Sequence, residues 1–305
     1  MLVSIVTTLY KSENYLEEFV RRIHSSVELI TQDYEIIFVN DGSPDQSLAK
    51  ILALKSNIPQ IKVIDLSRNF GHHEAGLVGL EHAQGDFIFL IDSDLEEAPE
   101  LLLDFWQELQ QHPDLDVVYG VQIKRKGNWF EQLSGSIFYK IFNHLSEIEI
   151  PRNLLTVRLM KKSFVQSVLE YPERNVFLAG LMALAGFNQE ALPVHKLSNP
   201  TGTYTLSRQL RLFSTCITAF STKPLEYIFL SGVLITAFTL LAGLYYGMNH
   251  LLNLDQEQGN SLLLIIVSGF LSGIIIMCTG ILGIYQAKIY QEVKQRPRAF
   301  IKKIY

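Results

Sequence analysis

The sequence predicts an α/β protein in which a doubly wound, parallel-rich sheet is followed by a C-terminal hairpin of two transmembrane helices. Three features lead there. Apolar, β-branched runs at 2–7, 35–40, 62–66, 87–91 and 116–121 alternate with segments of helix length. Two later stretches, 227–248 and 262–285, contain no Lys, Arg, Asp or Glu. Basic residues flank those stretches and are missing from the connector at 250–261.

The 305-residue chain is mixed in polarity to about residue 204 and much more apolar beyond it. It divides into a globular domain at 1–205, a juxtamembrane amphipathic helix at 206–226, the two spans at 227–286 and a basic tail at 287–305. The first run has no basic stretch before it and meets polar residues early. It therefore reads as a core strand rather than a signal peptide, which leaves the domain in the cytosol. Turn signals bound each run, and the strand-helix-strand order makes neighbouring strands parallel. Their carboxyl ends carry Thr8, Asp41, residues 67–69 and Asp92 to Asp94, where such sheets gather ligands.

Each later stretch is about twenty residues, enough to cross a bilayer as a helix. Gly269 and Gly273 form a small-xxx-small pair, a feature of packed helices that points to a homo-oligomer. Arg208, Arg211 and Lys223 precede the first span, and Lys288, Lys294, Arg296, Arg298, Lys302 and Lys303 follow the second. Both termini then face the cytoplasm, as in a multi-pass protein of the cytoplasmic membrane. Trp129, Phe130, Leu133, Ile137, Phe138, Ile141, Phe142 and Leu145 repeat at helical spacing, as a core helix or one lying in the interface.

Composition narrows the function. A net charge of -5 without a basic, aromatic-interleaved cluster argues against a nucleic-acid partner. Cys216 and Cys278 are far apart, so no disulfide framework or zinc site is expected. No GxGxxG follows the first strand and no GxxxxGK[ST] occurs, which excludes a dinucleotide oxidoreductase and a P-loop ATPase. His72-His73-Glu74 lacks the i, i+4 spacing of a helical metal pair and reads as a loop or helix start. Asp92-Ser93-Asp94 differs, because an apolar strand runs straight into two hard oxygen ligands that suit Mg2+ or Mn2+ shared with a diphosphate.

The segments VTTLYKSE (6–13), VNDGSPD (39–45), SRNFG (67–71), DSDLEEAPE (92–100), FSTKPL (220–225) and IYQEVKQRP (289–297) appear in that order. In this the chain resembles the inverting polyprenyl-phosphate glycosyltransferases, the family of dolichol-phosphate mannose synthases and bacterial undecaprenyl-phosphate glucosyltransferases. The resemblance covers nearly the whole chain. It implies a Rossmann-like glycosyltransferase A fold, a UDP- or GDP-type nucleotide-sugar donor, a polyprenyl phosphate acceptor in the membrane and a divalent cation. It also implies that Thr8, Tyr10, Glu13 and Arg68 surround the nucleotide and that Asp41 accepts a hydrogen bond from its base. Asp92 and Asp94 match the metal and diphosphate ligands, and Glu96 stands where the family often has Gln to complete the metal shell.

Two segments depart from the family. Thr156 replaces an acceptor-site Asp while Arg158 is kept as a catalytic cation, and Thr can neither act as a carboxylate base nor bind a cation comparably. Residues 199–204 lack the usual Arg before the Gly and the Ser-Lys pair after it, so phosphate contacts fall to Arg158, Arg125 or Lys196. A processive polysaccharide synthase would share the sheet, but it would have more spans and a Gln-x-x-Arg-Trp motif that this chain lacks. The rival is a catalytically degenerate homologue that acts as a binding subunit.

Overall fold

The computed structural model describes residues 1–123, 153–172, 178–196, 223–251 and 261–305. Each expected run becomes a strand: β1 (Val3–Leu9), β2 (Tyr34–Asn40), β3 (Ile61–Leu66), β4 (Phe87–Leu90) and β5 (Val117–Gln122). Between them lie α1 (Leu16–Glu28), α2 (Ser47–Lys55), α3 (His72–Glu81) and α4 (Leu101–Gln111). In α1 the cause is visible: Leu16, Phe19, Val20, Ile23 and Val27 recur at helical spacing and all are buried. Glu17 and Glu18 in its first turn complement the positive end of the helix dipole.

Beyond β5 the sheet is more mixed than expected. β6 (Leu154–Lys161) and β7 (Gln189–Val194) join it, with α5 (Lys162–Leu169) and α6 (Leu178–Leu184) between them. The order is β7-β5-β6-β4-β1-β2-β3 and then a C-terminal strand, β8 (Ile301–Ile304). β6 runs antiparallel to both β4 and β5, which ends the parallel series. Its Leu155, Val157 and Leu159 alternate into the core, so a segment read for its chemistry is also a buried strand.

The tail departs from expectation as well. β8 pairs antiparallel with β3, and Tyr305 N donates to Val63 O at 2.9 Å. The exposed Lys302 and Lys303 suit an edge strand, where charge discourages further pairing.

Both sheet faces are covered. Phe19, Phe38, Phe89 and Phe105 pack on one side, with the rings of Phe19 and Phe38 edge to face at 6.0 Å. Truncating a buried ring of this kind costs about 3–5 kcal/mol. Val6, Ile37, Leu90 and Phe164 fill the other side. The chain builds outward through β1, β2 and β3, then returns to place β4 on the opposite side of β1. This reversal opens a crevice at the carboxyl ends of β1 and β4, which positions the site.

α7 (Lys223–Leu251) and α8 (Ser261–Val293) are helices that cover the two stretches expected to cross a membrane. Phe229, Leu234 and Phe238 on α7 and Ile275, Ile276 and Met277 on α8 are exposed. Among the described residues, Leu271–Val293 is the stretch long and apolar enough to cross a membrane, with mean hydropathy 1.4 and none of it buried. The aromatic repeat at 129–145, Arg125, segment 199–204, Cys216, the juxtamembrane helix up to residue 222 and the connector at 252–260 lie outside the described residues.

Candidate active site

The floor of the crevice is laced by short hydrogen bonds between loops. Lys11 takes a left-handed φ of 58°, and its N–H donates to Ser43 Oγ at 2.8 Å. Ser12 N donates to Ser47 Oγ at 3.0 Å, and Gln46 N donates to Glu13 Oε2 at 2.8 Å. Glu13 therefore caps the start of α2 and fixes the β1 loop against the β2 loop. Asp41 is buried, and its two oxygens accept from Phe70 N at 2.7 Å and Gly71 N at 3.1 Å. Beside it, Gly42 has φ +58°, and a Cβ there would lie 2.5 Å from Asn69 N. Only glycine lets the β2 and β3 loops approach so closely.

The acidic turn follows β4 directly. Ser93 Oγ donates to Thr8 O at 2.8 Å and lies 3.0 Å from Ser12 Oγ, which ties the turn to the β1 loop. Asp94 Oδ1 accepts from Glu96 N at 3.0 Å, and Leu95 between them has φ 58°. That conformation is costly for a non-glycine residue and characteristic of a loop shaped for a task. His72, at the start of α3, joins the two sides: its Nδ1 is 3.0 Å from Thr8 Oγ1, and its Nε2 is 3.4 Å from Asp92 Oδ1.

A second layer of charge lies beneath. Arg158 sits opposite Leu90 in the β4–β6 register, just before Asp92 in the chain. It is buried, and it donates to Thr156 O at 3.0 Å and Leu155 O at 3.1 Å. Burial draws its guanidinium down to about 10, with Glu97 and Asp92 opposing, so it stays cationic near neutral pH. Glu97 is buried, and its Oε2 has no hydrogen-bond partner among the described residues. Burial, helped by Asp92, lifts it to about 8. Burial also raises Asp94, and the neighbouring Asp92 and Glu96 add to the effect. Lys196, just after β7, pairs with Glu96 Oε2 at 2.5 Å. Burial drives His73 down to about 4, with His72 and Arg158 adding to the shift, so it is neutral at physiological pH.

A model of the family described as Glycosyl transferase family 2 matches residues 4–169, from β1 through α5. The chain belongs to glycosyl transferase family 2. It is 41% identical over 305 residues to a Mycobacterium tuberculosis (strain CDC 1551 / Oshkosh) protein described as "Putative glycosyltransferases", covering 100% of this chain and 89% of that one. With the SfII prophage-derived bactoprenol glucosyl transferase of Shigella flexneri it shares 29% identity over 305 residues, covering 99% of this chain and 98% of the relative. Among solved structures, the mannosyltransferase PcManGT from Pyrobaculum calidifontis, in complex with GDP-Man and Mn2+, matches at TM-score 0.50 and 15% identity. That match covers 96% of this chain and 86% of the other and shows a common fold.

Within this family 2 glycosyltransferase, the crevice brings together Thr8, Asp92 and Asp94, with Arg158 behind them. Tyr10 stays exposed at the rim. Glu13 and Asp41 lie on the loops after β1 and β2, and both carboxylates hold loops through backbone N–H groups. Arg68 stacks on Phe70 at 4.0 Å and lines a cavity shared with α8. Glu96 is turned to Lys196, and among the described residues no three His, Cys, Asp or Glu side chains gather to hold a metal ion by themselves.

His72 is the residue that sequence reasoning passed over. The helix start expected at His72 is where α3 begins, and the side chain there bridges Thr8 and Asp92. Its position at the head of the helix after β3 is the signal that finds it. Glu97 carries no signal beyond its place in the acidic segment.

Proposed function

We propose that this enzyme moves a hexosyl group from a UDP- or GDP-type nucleotide sugar to a polyprenyl phosphate of the undecaprenyl type, with inversion, at the cytoplasmic membrane face. One observation carries the reading. Asp92 and Asp94 stand at the sheet's switch point, tied through Ser93 and His72 to Thr8 and backed by buried Arg158. The assembled crevice favours transfer over a binding-only subunit. The name of the Shigella relative supports the acceptor class, the exposed apolar faces of α7 and α8 support two spans, and the basic residues flanking them support both termini inside.

The chemistry of the turn fits a divalent cation. Burial raises the Asp94 carboxyl, the negative charge of Asp92 and Glu96 adds to the effect, and Lys196 serves Glu96 as a built-in counter-cation. Asp92 and Asp94 would hold Mg2+ or Mn2+ together with diphosphate oxygens, and Glu96 would join on leaving Lys196. Bound there, the metal would offset the charge that builds on the departing diphosphate.

The residues of the chain supply the rest. The β1 and β2 loops, fixed by Glu13 and Asp41, shape the nucleotide pocket, and His72 holds Asp92 in place. An acceptor phosphate oxygen attacks the anomeric carbon from the face opposite the diphosphate, as the carbon–oxygen bond to the diphosphate breaks. The second negative charge of the acceptor leaves with the nucleoside diphosphate. A phosphate monoester has its second pKa near ~6 and is already ionised, so Thr156 in place of a carboxylate is compatible with turnover. Arg158 adds a fixed cation beside the developing charge.

Membranes bearing the full chain, incubated with a panel of nucleotide sugars and undecaprenyl phosphate, should yield a hexosyl-phosphoryl lipid identified by its mass. Asp94→Ala should reduce transfer by at least ~100-fold, the usual scale for losing one preorganised electrostatic contact. Transfer at the wild-type rate in that variant would reject the site.

A further inference from the structure

A cavity of about 660 Å3 opens between the β3–α3 loop and the last turn of α8. Arg68, Phe70 and Glu74 form one wall, and Tyr290, Lys294 and Arg296 form the other. With Arg298, the lining among the described residues holds four cationic side chains against the single carboxylate of Glu74. The walls are firmly joined. Ser67 N donates to Phe300 O at 2.9 Å, and the rings of Phe70 and Phe300 lie 6.2 Å apart. Arg298 is 3.7 Å from Glu81 on α3 and also donates to Tyr171 O. The Lys294 ammonium lies 4.0 Å over the Tyr290 ring, as the Arg68 guanidinium lies over Phe70.

The position of the cavity says what it would meet. The apolar stretch Leu271–Val293 ends immediately before Lys294 and Arg296, so a bilayer around α8 would place the cavity at headgroup depth. An excess of fixed cations at that depth, in a pocket rather than on an open surface, suits a phosphate group presented by a lipid.

We infer that this cavity binds the phosphate headgroup of a membrane lipid. Glu74 in its lining and His72 both lie in the first turn of α3, so an occupied cavity would hold a lipid phosphate beside the catalytic crevice. The inference does not require that the lipid be the acceptor.

The test uses the full chain in neutral detergent, titrated in parallel with undecaprenyl phosphate, phosphatidylglycerol, phosphatidylcholine and inorganic phosphate, with bound lipid counted by native mass spectrometry. Lys294 and Arg296 are exposed, so Lys294→Gln combined with Arg296→Gln should leave the fold intact. That pair should weaken retention of the anionic lipids by ~30-fold, about 1 kcal/mol for each basic residue at a membrane surface. Glu74→Gln, which removes the opposing charge, should strengthen it. Retention of undecaprenyl phosphate above phosphatidylglycerol supports the site with the acceptor as occupant, and equal retention supports it with bulk anionic lipid. Retention of phosphatidylcholine as strong as phosphatidylglycerol, or anionic-lipid retention unchanged in the double variant, overturns the inference. Neither outcome depends on transfer, so failure of the proposed activity would show separately as absence of lipid product in the wild type.

Discussion

Gly42→Ala tests how closely the β2 and β3 loops must approach. The φ of +58° costs an L-residue about 1–2 kcal/mol. The new Cβ would lie 2.5 Å from Asn69 N and 2.6 Å from Arg68 C, a shortfall of about 0.9 Å against the 3.4 Å of ordinary contact. Both contacts are backbone, so the β3–α3 loop itself must retreat. That loop supplies Phe70 N and Gly71 N to the Asp41 carboxylate. Hydrogen bonds to a charged group contribute about 1.5–3 kcal/mol each, so weakening the two brings the total cost to about 3–5 kcal/mol. Gly186→Ala is the control: its φ is +69°, but the nearest atom is 3.8 Å away, so only the conformational cost of about 1–2 kcal/mol applies. Thermal unfolding of both variants, with nucleotide affinity by calorimetry, measures the difference. Equal melting temperatures for the two, with nucleotide affinity retained in Gly42→Ala, would refute the reasoning.

Two further expectations concern the buried charges. Glu97 has its folded value lifted to about 8 from an ordinary 4.5, so the folded state holds the proton more tightly than the unfolded state does. The stabilisation from that proton is fully present below pH 4.5 and is lost as pH rises through 8. Glu97→Gln removes this loss, so in metal-free buffer the variant should gain stability over wild type as pH rises, by several kcal/mol at ~1.4 kcal/mol per unit. A stability difference that stays constant with pH would contradict it. Lys196→Met strips the cation from Glu96. It should lower the metal-free melting temperature, as expected for losing ~1–3 kcal/mol, and saturating Mn2+ should restore most of the loss. An identical loss with and without Mn2+ would count against a shared carboxylate.

Much of the architecture was legible because the runs that became β1 to β5 are apolar, β-branched and bounded by turn residues, and because both their faces are buried. β6 was not read as a strand although Leu155, Val157 and Leu159 alternate with Thr156 and Arg158: those polar positions were read for their chemistry, and Arg158 is tolerated on a buried second face only because backbone carbonyls and neighbouring charges meet it. β8 was hidden for a different reason. Ile301–Ile304 is too short and too basic to read as a strand, and its pairing depends on an edge that only the folded sheet presents. At the site, acidic residues after a strand stood out, while the bridge through His72 and the ion pair of Lys196 depend on contacts between distant segments.

The proposed function depends on a divalent cation shared between the acidic turn and the donor's diphosphate. Depletion of the free Mn2+ EPR signal, measured on the full chain with UDP or GDP, tests this most directly. The wild type should bind Mn2+ cooperatively with the nucleotide, and Asp94→Asn should weaken that binding by at least ~10-fold. Equal Mn2+ uptake in the variant, or nucleotide binding by the wild type that is indifferent to EDTA, would contradict the claim.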